Sequence, residues 1–135
     1  MVNIDPIVRH MILADNVSTD SRTPPKIGVH GLIQIVHLTE PIRYPATIPT
    51  LCVLLYLAGG RGQGIGQIIA VDSESDQPLF GSLPHEITYP PDPLEAIAIA
   101  FRLRKCRIPR QGLYWIQFWH NGRRLAEQSL IVRGK

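Results

Sequence analysis

The chain has 135 residues, of which 44% are apolar or aromatic and 19% charged, a composition that describes a globular protein and excludes a disordered one. One domain fits this length, and its core can be sizeable without disulfides or metal. The net charge of +3 conceals an asymmetry: residues 102–135 hold nine Lys/Arg against the single acid Glu127, while residues 1–101 hold five bases against ten acids.

Twelve prolines and eleven glycines argue for frequent turns and against long helices. No apolar run approaches the roughly 18 residues of a membrane span, so no membrane association is expected. The opening MVNIDPIVRHMILADN places Asp5 and Pro6 before a short apolar run, with no basic leader and no small-residue cleavage site. Its two cysteines then read as free thiols in a reducing, cytoplasmic setting.

In chain order, Val8–Ala14 is a compact apolar run that suits a first strand ending at Asp15-Asn16. Ser18–Pro25 is a polar loop closed by two prolines. Lys26–Leu38 alternates with period two, and Gly31 at its middle marks a bend where the strand could change partners. Thr39–Pro49 carries three prolines and reads as a connection. Thr50–Ala58 is almost wholly apolar, which fits a strand buried on both faces. Gly59–Gly66 reads as a turn, Ile65–Val71 as a strand, and Asp72–Pro78 as an acidic loop. Leu79-Phe80 suits a short edge contact, and the proline-flanked segment Pro84–Pro93 a surface connection outside any sheet.

Leu94–Cys106 opens on good helix formers. Yet Ile97, Ile99, Phe101 and Leu103 alternate strictly with Ala98, Ala100, Arg102 and Arg104. Only a strand puts the large apolar side chains on one face and the arginines on the other. The chain ends in two strand-forming runs, Leu113–Trp119 and Arg124–Val132, around Asn121-Gly122. Both of those residues tolerate the positive φ of a type I′ hairpin turn.

Seven strands without a convincing helix predict an all-β fold: a two-sheet antiparallel sandwich, with a closed barrel as the second choice. Pro109-x-x-Gly112-x-Tyr114-x-Ile116 resembles the tyrosine corner of immunoglobulin-like sandwiches, in which the phenol bonds the backbone just upstream. The runs HMILADN, KIGVHGL and GLYWIQFWHNGRRLAEQSLIV resemble a family of small bacterial proteins classed as a domain of unknown function. That resemblance implies a stand-alone, non-secreted sandwich and brings no activity or catalytic residues.

Several motifs carry weaker chemistry. Gly59–Gly66 has the glycines of a phosphate loop but no following helix and no Lys-Ser/Thr. Asp72, Glu74 and Asp76 are spaced like calcium ligands, without the turn glycine or the closing glutamate. The five histidines are dispersed, and none stands at metal-ligand spacing from another His or a Cys. No cofactor or metal is therefore expected. Cys52 reads as inert core. Cys106, among Arg104, Lys105 and Arg107, reads as a thiol of lowered pKa and the one plausible nucleophile, but with no identifiable base.

If Tyr114, Ile116 and Phe118 face the core, Trp115 and Trp119 face away from it; the reverse parity, with the tryptophans in the core and Tyr114 pointing out, is the alternative. The irregular parity of the second hairpin strand then calls for a bulge between Glu127 and Ser129. Outward tryptophans near Arg123 and Arg124 are the residue types that dominate interfaces. The expected function is a non-enzymatic module that binds a protein partner or itself as a homo-oligomer, with Trp115, Trp119, Arg123, Arg124, Arg102 and Arg104 as the candidate surface. The alternative is nucleic-acid or polyanion binding through the basic segment 102–135.

Overall fold

A computed structural model of the protein describes residues 2–19, 26–38 and 43–134. These residues form strands and no helix. One sheet runs β2 (Ile27–Leu32), β1 (Ile7–Thr19), β4 (Ala46–Ala58) and β8 (Ile97–Ile108). The other runs β3 (Ile35–His37), β10 (Arg123–Arg133), β9 (Gly112–His120), β5 (Gln63–Asp72) and β6 (Pro78–Gly81), with β7 (His85–Thr88) also on β5. The protein is thus an all-β, two-sheet sandwich.

The period-two pattern explains the layers. Leu51, Val53, Leu55 and Leu57 of β4 point inward with Leu13 of β1 and Phe101 and Leu103 of β8. Facing them are Ile68 and Ala70 of β5, Tyr114, Ile116 and Phe118 of β9, and Leu130 and Val132 of β10. Phe101 and Phe118 meet across the layers with ring centroids 6.3 Å apart. Strand β4 is buried on both sides, because Cys52 and Leu54 form a second small cluster with Ala14 and Val17 on its outer face.

The described residues form ten strands where the sequence suggests seven, and the differences have local causes. Strand β1 continues past Asp15-Asn16 to Thr19, where it pairs with β2. The part of the Ser18–Pro25 loop from 20 to 25 lies outside the described residues, as does 39–42 of the Thr39–Pro49 connection. Lys26–Leu38 does change partners: after Gly31, at φ 68°, the chain leaves β1 and β3 joins β10 in the other sheet. That pairing is parallel, so the sandwich is not wholly antiparallel. Ala46–Pro49 belongs to β4, and Gly64 and Gly66 belong to β5 rather than to a turn. Pro84–Pro93 contains a four-residue strand, β7, because its prolines flank the ladder instead of interrupting it. The strand expected over Leu94–Cys106 is found at Ile97–Ile108, with 94–96 outside it.

The final hairpin forms around Asn121 at φ 49° and Gly122 at φ 79°, with β10 pairing back along β9. The irregularity that reconciles the parities of β10 sits between Arg124 and Ala126, earlier than the expected 127–129. Strand β10 must realign there, directly after the tight turn, to bring Leu130 and Val132 inward. The Tyr114 hydroxyl donates to the carbonyl of Arg110, tying the entry of β9 to the loop before it. The Arg110 guanidinium in turn holds the Asp72 carboxylate at the end of β5. Tyr114→Phe is expected to cost about 1 kcal/mol, since it removes one buried hydrogen bond and leaves the ring in place. A urea melt that shows no loss would contradict this role.

Candidate functional site

The outer face of the larger sheet carries the tryptophans. Inward placement of Tyr114, Ile116 and Phe118, all fully buried, leaves Leu113, Trp115, Gln117 and Trp119 on the outside. Trp119 stands between Arg124 of β10 and Gln67 of β5, and Trp115 between Ser129 and Val71. Both indoles are half-buried. Trp119 donates its indole N–H to Gln117 Oε1 at 3.0 Å, which fixes the ring and buries Gln117 to 7% exposure.

A shallow groove lies on either side of Trp119. One, of about 380 Å³, is lined by Ile69, Val71, Pro78, Gln117 and Arg124. The other, of about 310 Å³, is lined by Ile65, Gln67, Ile69, Pro84 and Asn121. Ile65 is 54% exposed at the rim. The result is an apolar ridge with amide and guanidinium groups and the Asp76 carboxylate around it.

Of the six candidate residues, Trp115, Trp119 and Arg124 share this face. Arg124 is also 3.4 Å from Glu127. Arg123 lies at the hairpin end, 3.8 Å from Asp5. Arg102 and Arg104 are on β8 in the other sheet, so they do not join the tryptophans. Arg102 donates to Val17 O at 2.6 Å. The basic third of the sequence is therefore dispersed in space, with Arg110, Arg123 and Arg124 beside acids and the β8 cations apart from them.

Cys106 requires a correction. Strict alternation would leave it on the outer face with the arginines. At Lys105, φ is 54° and the inward side of the strand switches, so Cys106 and Ile108 enter the core. Burial pushes the Cys106 thiol up to about 11, opposite to the lowering its basic neighbours suggest. Cys52 is fully buried, as expected of core.

A polar cluster at the end of β9 is not apparent in the sequence. His120 is fully buried, and its Nδ1 lies 2.7 Å from Asp5 Oδ1. Its Nε2 lies 2.7 Å from the Tyr89 hydroxyl. A carboxylate only accepts, so Nδ1 carries a proton, and in the neutral imidazole Nε2 accepts from the tyrosine. Burial, with the Asp5 charge adding to it, pushes the Tyr89 phenol up to about 12. That phenol is a hydrogen-bond donor and not an activated nucleophile.

The glycine-rich segment makes room for this cluster. A Cβ at Gly60 would enter the Tyr89 ring, and one at Gly64 would enter the His120 imidazole. The N-terminal segment closes over it: Asn3 Oδ1 accepts from the Gln63 amide at 3.2 Å, and Ile4 exchanges two backbone bonds with Arg61. The available signal was the placement of glycines at alternate positions in a strand, which marks close approach of a large neighbour.

Asp72, in the acidic loop, accepts from Arg110 and from the Glu74 amide. Among the described residues no cluster of three His, Cys, Asp or Glu has metal-site geometry. No helix among them is long and apolar enough to cross a membrane.

No family model matches the chain, and no curated protein matches it. Solved structures share the fold. An alkylpurine DNA glycosylase of Pseudomonas fluorescens bound to DNA containing an abasic site analog superposes with a TM-score of 0.55 at 11% identity, over 96% of this chain and 31% of that one. A mutant β-glucosidase of Listeria innocua in complex with laminaribiose gives 0.50 at 11% identity, over 93% of this chain and 16% of that one. At such identity these are likenesses of fold alone, and this chain spans under a third of either protein.

Two predictions follow from the buried groups. Gly64→Ala is expected to cost about 2 kcal/mol by overpacking against His120, and Asp5→Ala a further ~1–3 kcal/mol by orphaning Nδ1. Urea melts indistinguishable from wild type would remove the cluster's structural role. Raised pKa values for Cys106 and Tyr89 mean that the fold favours their neutral forms. Their contribution is complete below the ordinary values of 9.0 and 10.0 and is lost as pH rises through about 11 and 12. Stability should therefore fall above pH 9, and Cys106→Ala, though less stable at neutral pH, should show a shallower fall. Equal slopes for the two proteins would contradict the assignment to Cys106.

Proposed function

We propose that the protein is a non-enzymatic interaction module that binds a protein surface, or a second copy of itself, through the outer face of its larger sheet. The observation that carries this reading is the ridge of Trp119, Trp115, Ile65 and Ile69, held rigid by the Trp119–Gln117 bond. A preorganised indole loses little freedom on binding, which is why Trp dominates interface energetics. The grooves beside it are open and shallow, which suits a protein surface better than an enclosed small molecule. The buried polar triad Asp5–His120–Tyr89 sits under the N-terminal segment with its phenol held protonated, which supports a structural use over catalysis.

The immunoglobulin-like reading belongs here too. It is supported by the strand order β3-β10-β9-β5-β6, the parallel β3–β10 pair and the tyrosine-to-backbone bond at the entry of β9. A cytoplasmic setting is supported by two free, buried thiols.

The self-association version is tested by sedimentation equilibrium on wild type and Trp119→Glu. The expected result is a reversible dimer that the substitution weakens about thirtyfold, the ~2 kcal/mol of one buried Trp anchor. An unchanged dimer in the folded variant would rule out this face. A wild type that stays monomeric would rule out self-association.

A further inference from the structure

Strand β8 ends its sheet. It pairs with β4 on one side, and among the described residues no strand hydrogen-bonds to its other side, where His85 of the facing sheet packs on Phe101 with ring centroids 6.0 Å apart. From Ile97 to Arg104 the pairing with β4 runs without a register shift, and no proline interrupts β8. Its outer-face side chains divide into two halves. Ala98 and Ala100 are small; Arg102 and Arg104 are long and cationic, followed by Lys105 and Arg107. Arg104, Lys105 and Arg107 are exposed, and among the described residues they have no hydrogen-bond or ion-pair partner. The switch at Lys105 sustains the outward basic row, because it turns Cys106 inward and leaves Lys105 and Arg107 exposed.

From this arrangement we propose that the β8 edge is a second docking site, which takes an extended acidic segment of another protein by strand addition. A strand edge offers backbone donors and acceptors that a peptide satisfies and a nucleic acid does not. Alternate side chains along a strand recur every ~6.8 Å, so one carboxylate of an added strand falls opposite the unpaired Arg104 and the next opposite Arg102, whose guanidinium bonds Val17 O across β4 and must leave it to reach the edge. Large side chains at the next alternate positions fit over Ala98 and Ala100. A second copy of β8 brings no acid to the edge: paired in parallel it sets cations against cations, and paired antiparallel it sets Arg102 and Arg104 against Ala100 and Ala98.

Basic residues also discourage unwanted edge pairing. Here they gather at one end of the strand and leave a regular edge of several residues before them. That distribution selects a partner by charge rather than closing the edge to all.

The test is an NMR titration of the whole chain at low ionic strength with a blocked peptide of about eight residues. It carries glutamates at its first and third positions, valines at the fifth and seventh, and threonines between. A lysine-for-glutamate peptide and a short DNA duplex are the parallel arms. The expected result is binding of the acidic peptide alone, with amide exchange slowed along 97–104 and affinity reduced at least tenfold by Arg104→Glu. Three results would overturn the proposal: no binding, binding without protection of β8 amides, or DNA binding that the peptide cannot displace. Arg104 is exposed and unpaired, so its substitution leaves the core intact. Trp119→Glu binds the peptide like wild type, which separates this site from the tryptophan face.

Discussion

Strand β9 has room for only one arrangement of its side chains, and the rest of the molecule follows from that constraint. It lies inside the larger sheet, hydrogen-bonded to β10 on one side and β5 on the other. Four successive inward positions, Tyr114, Ile116, Phe118 and His120, are fully buried. A shift of one residue would bring Trp115, Gln117 and Trp119 inside instead, against the inward residues of the facing sheet. The outward tryptophans are therefore a consequence of what the core accepts, and the surface they form inherits the rigidity of a central strand.

Both ends of β9 are pinned by polar groups. At the entry, Tyr114 bonds Arg110, and Arg110 bonds Asp72. At the exit, His120 is held between Asp5 and Tyr89. Among the described residues each buried side-chain nitrogen and oxygen has a partner, which is the condition for such groups to sit inside without destabilising the fold. The glycines at 60 and 64 serve this exit cluster. Their run invites comparison with a phosphate loop, yet what they provide is space for two rings. The N-terminal segment, which a strand-based reading treats as a tail, completes the site through Asp5.

Much of the architecture was legible from the residues because period-two alternation is a direct imprint of a sheet between core and solvent. It identified β8 as a strand despite its helix-forming start, but it left β9 between two parities, and the packing of the core decides between them. It failed where the chain breaks its own period. Lys105 adopts a left-handed conformation in mid-strand, and nothing in its residue type announces that. The inward turn of Cys106 and its raised pKa were consequently missed. His120 was missed for a different reason: its partners, Asp5 and Tyr89, are 115 and 31 residues away, and no local spacing links them. Charge counting along the chain also misled in part. It grouped Arg102 and Arg104 with Arg123 and Arg124, which the fold places in separate sheets. The sandwich thus presents two distinct surfaces, an aromatic face and a cationic edge.

The facing of β9 is most directly examined by acrylamide quenching of tryptophan fluorescence in the dilute native protein, with Trp115→Phe and Trp119→Phe separating the two signals. Outward indoles predict that both are quenched in the folded state, at concentrations where the chain is monomeric. Two shielded indoles, quenched only after denaturation, would place them in the interior and contradict the account.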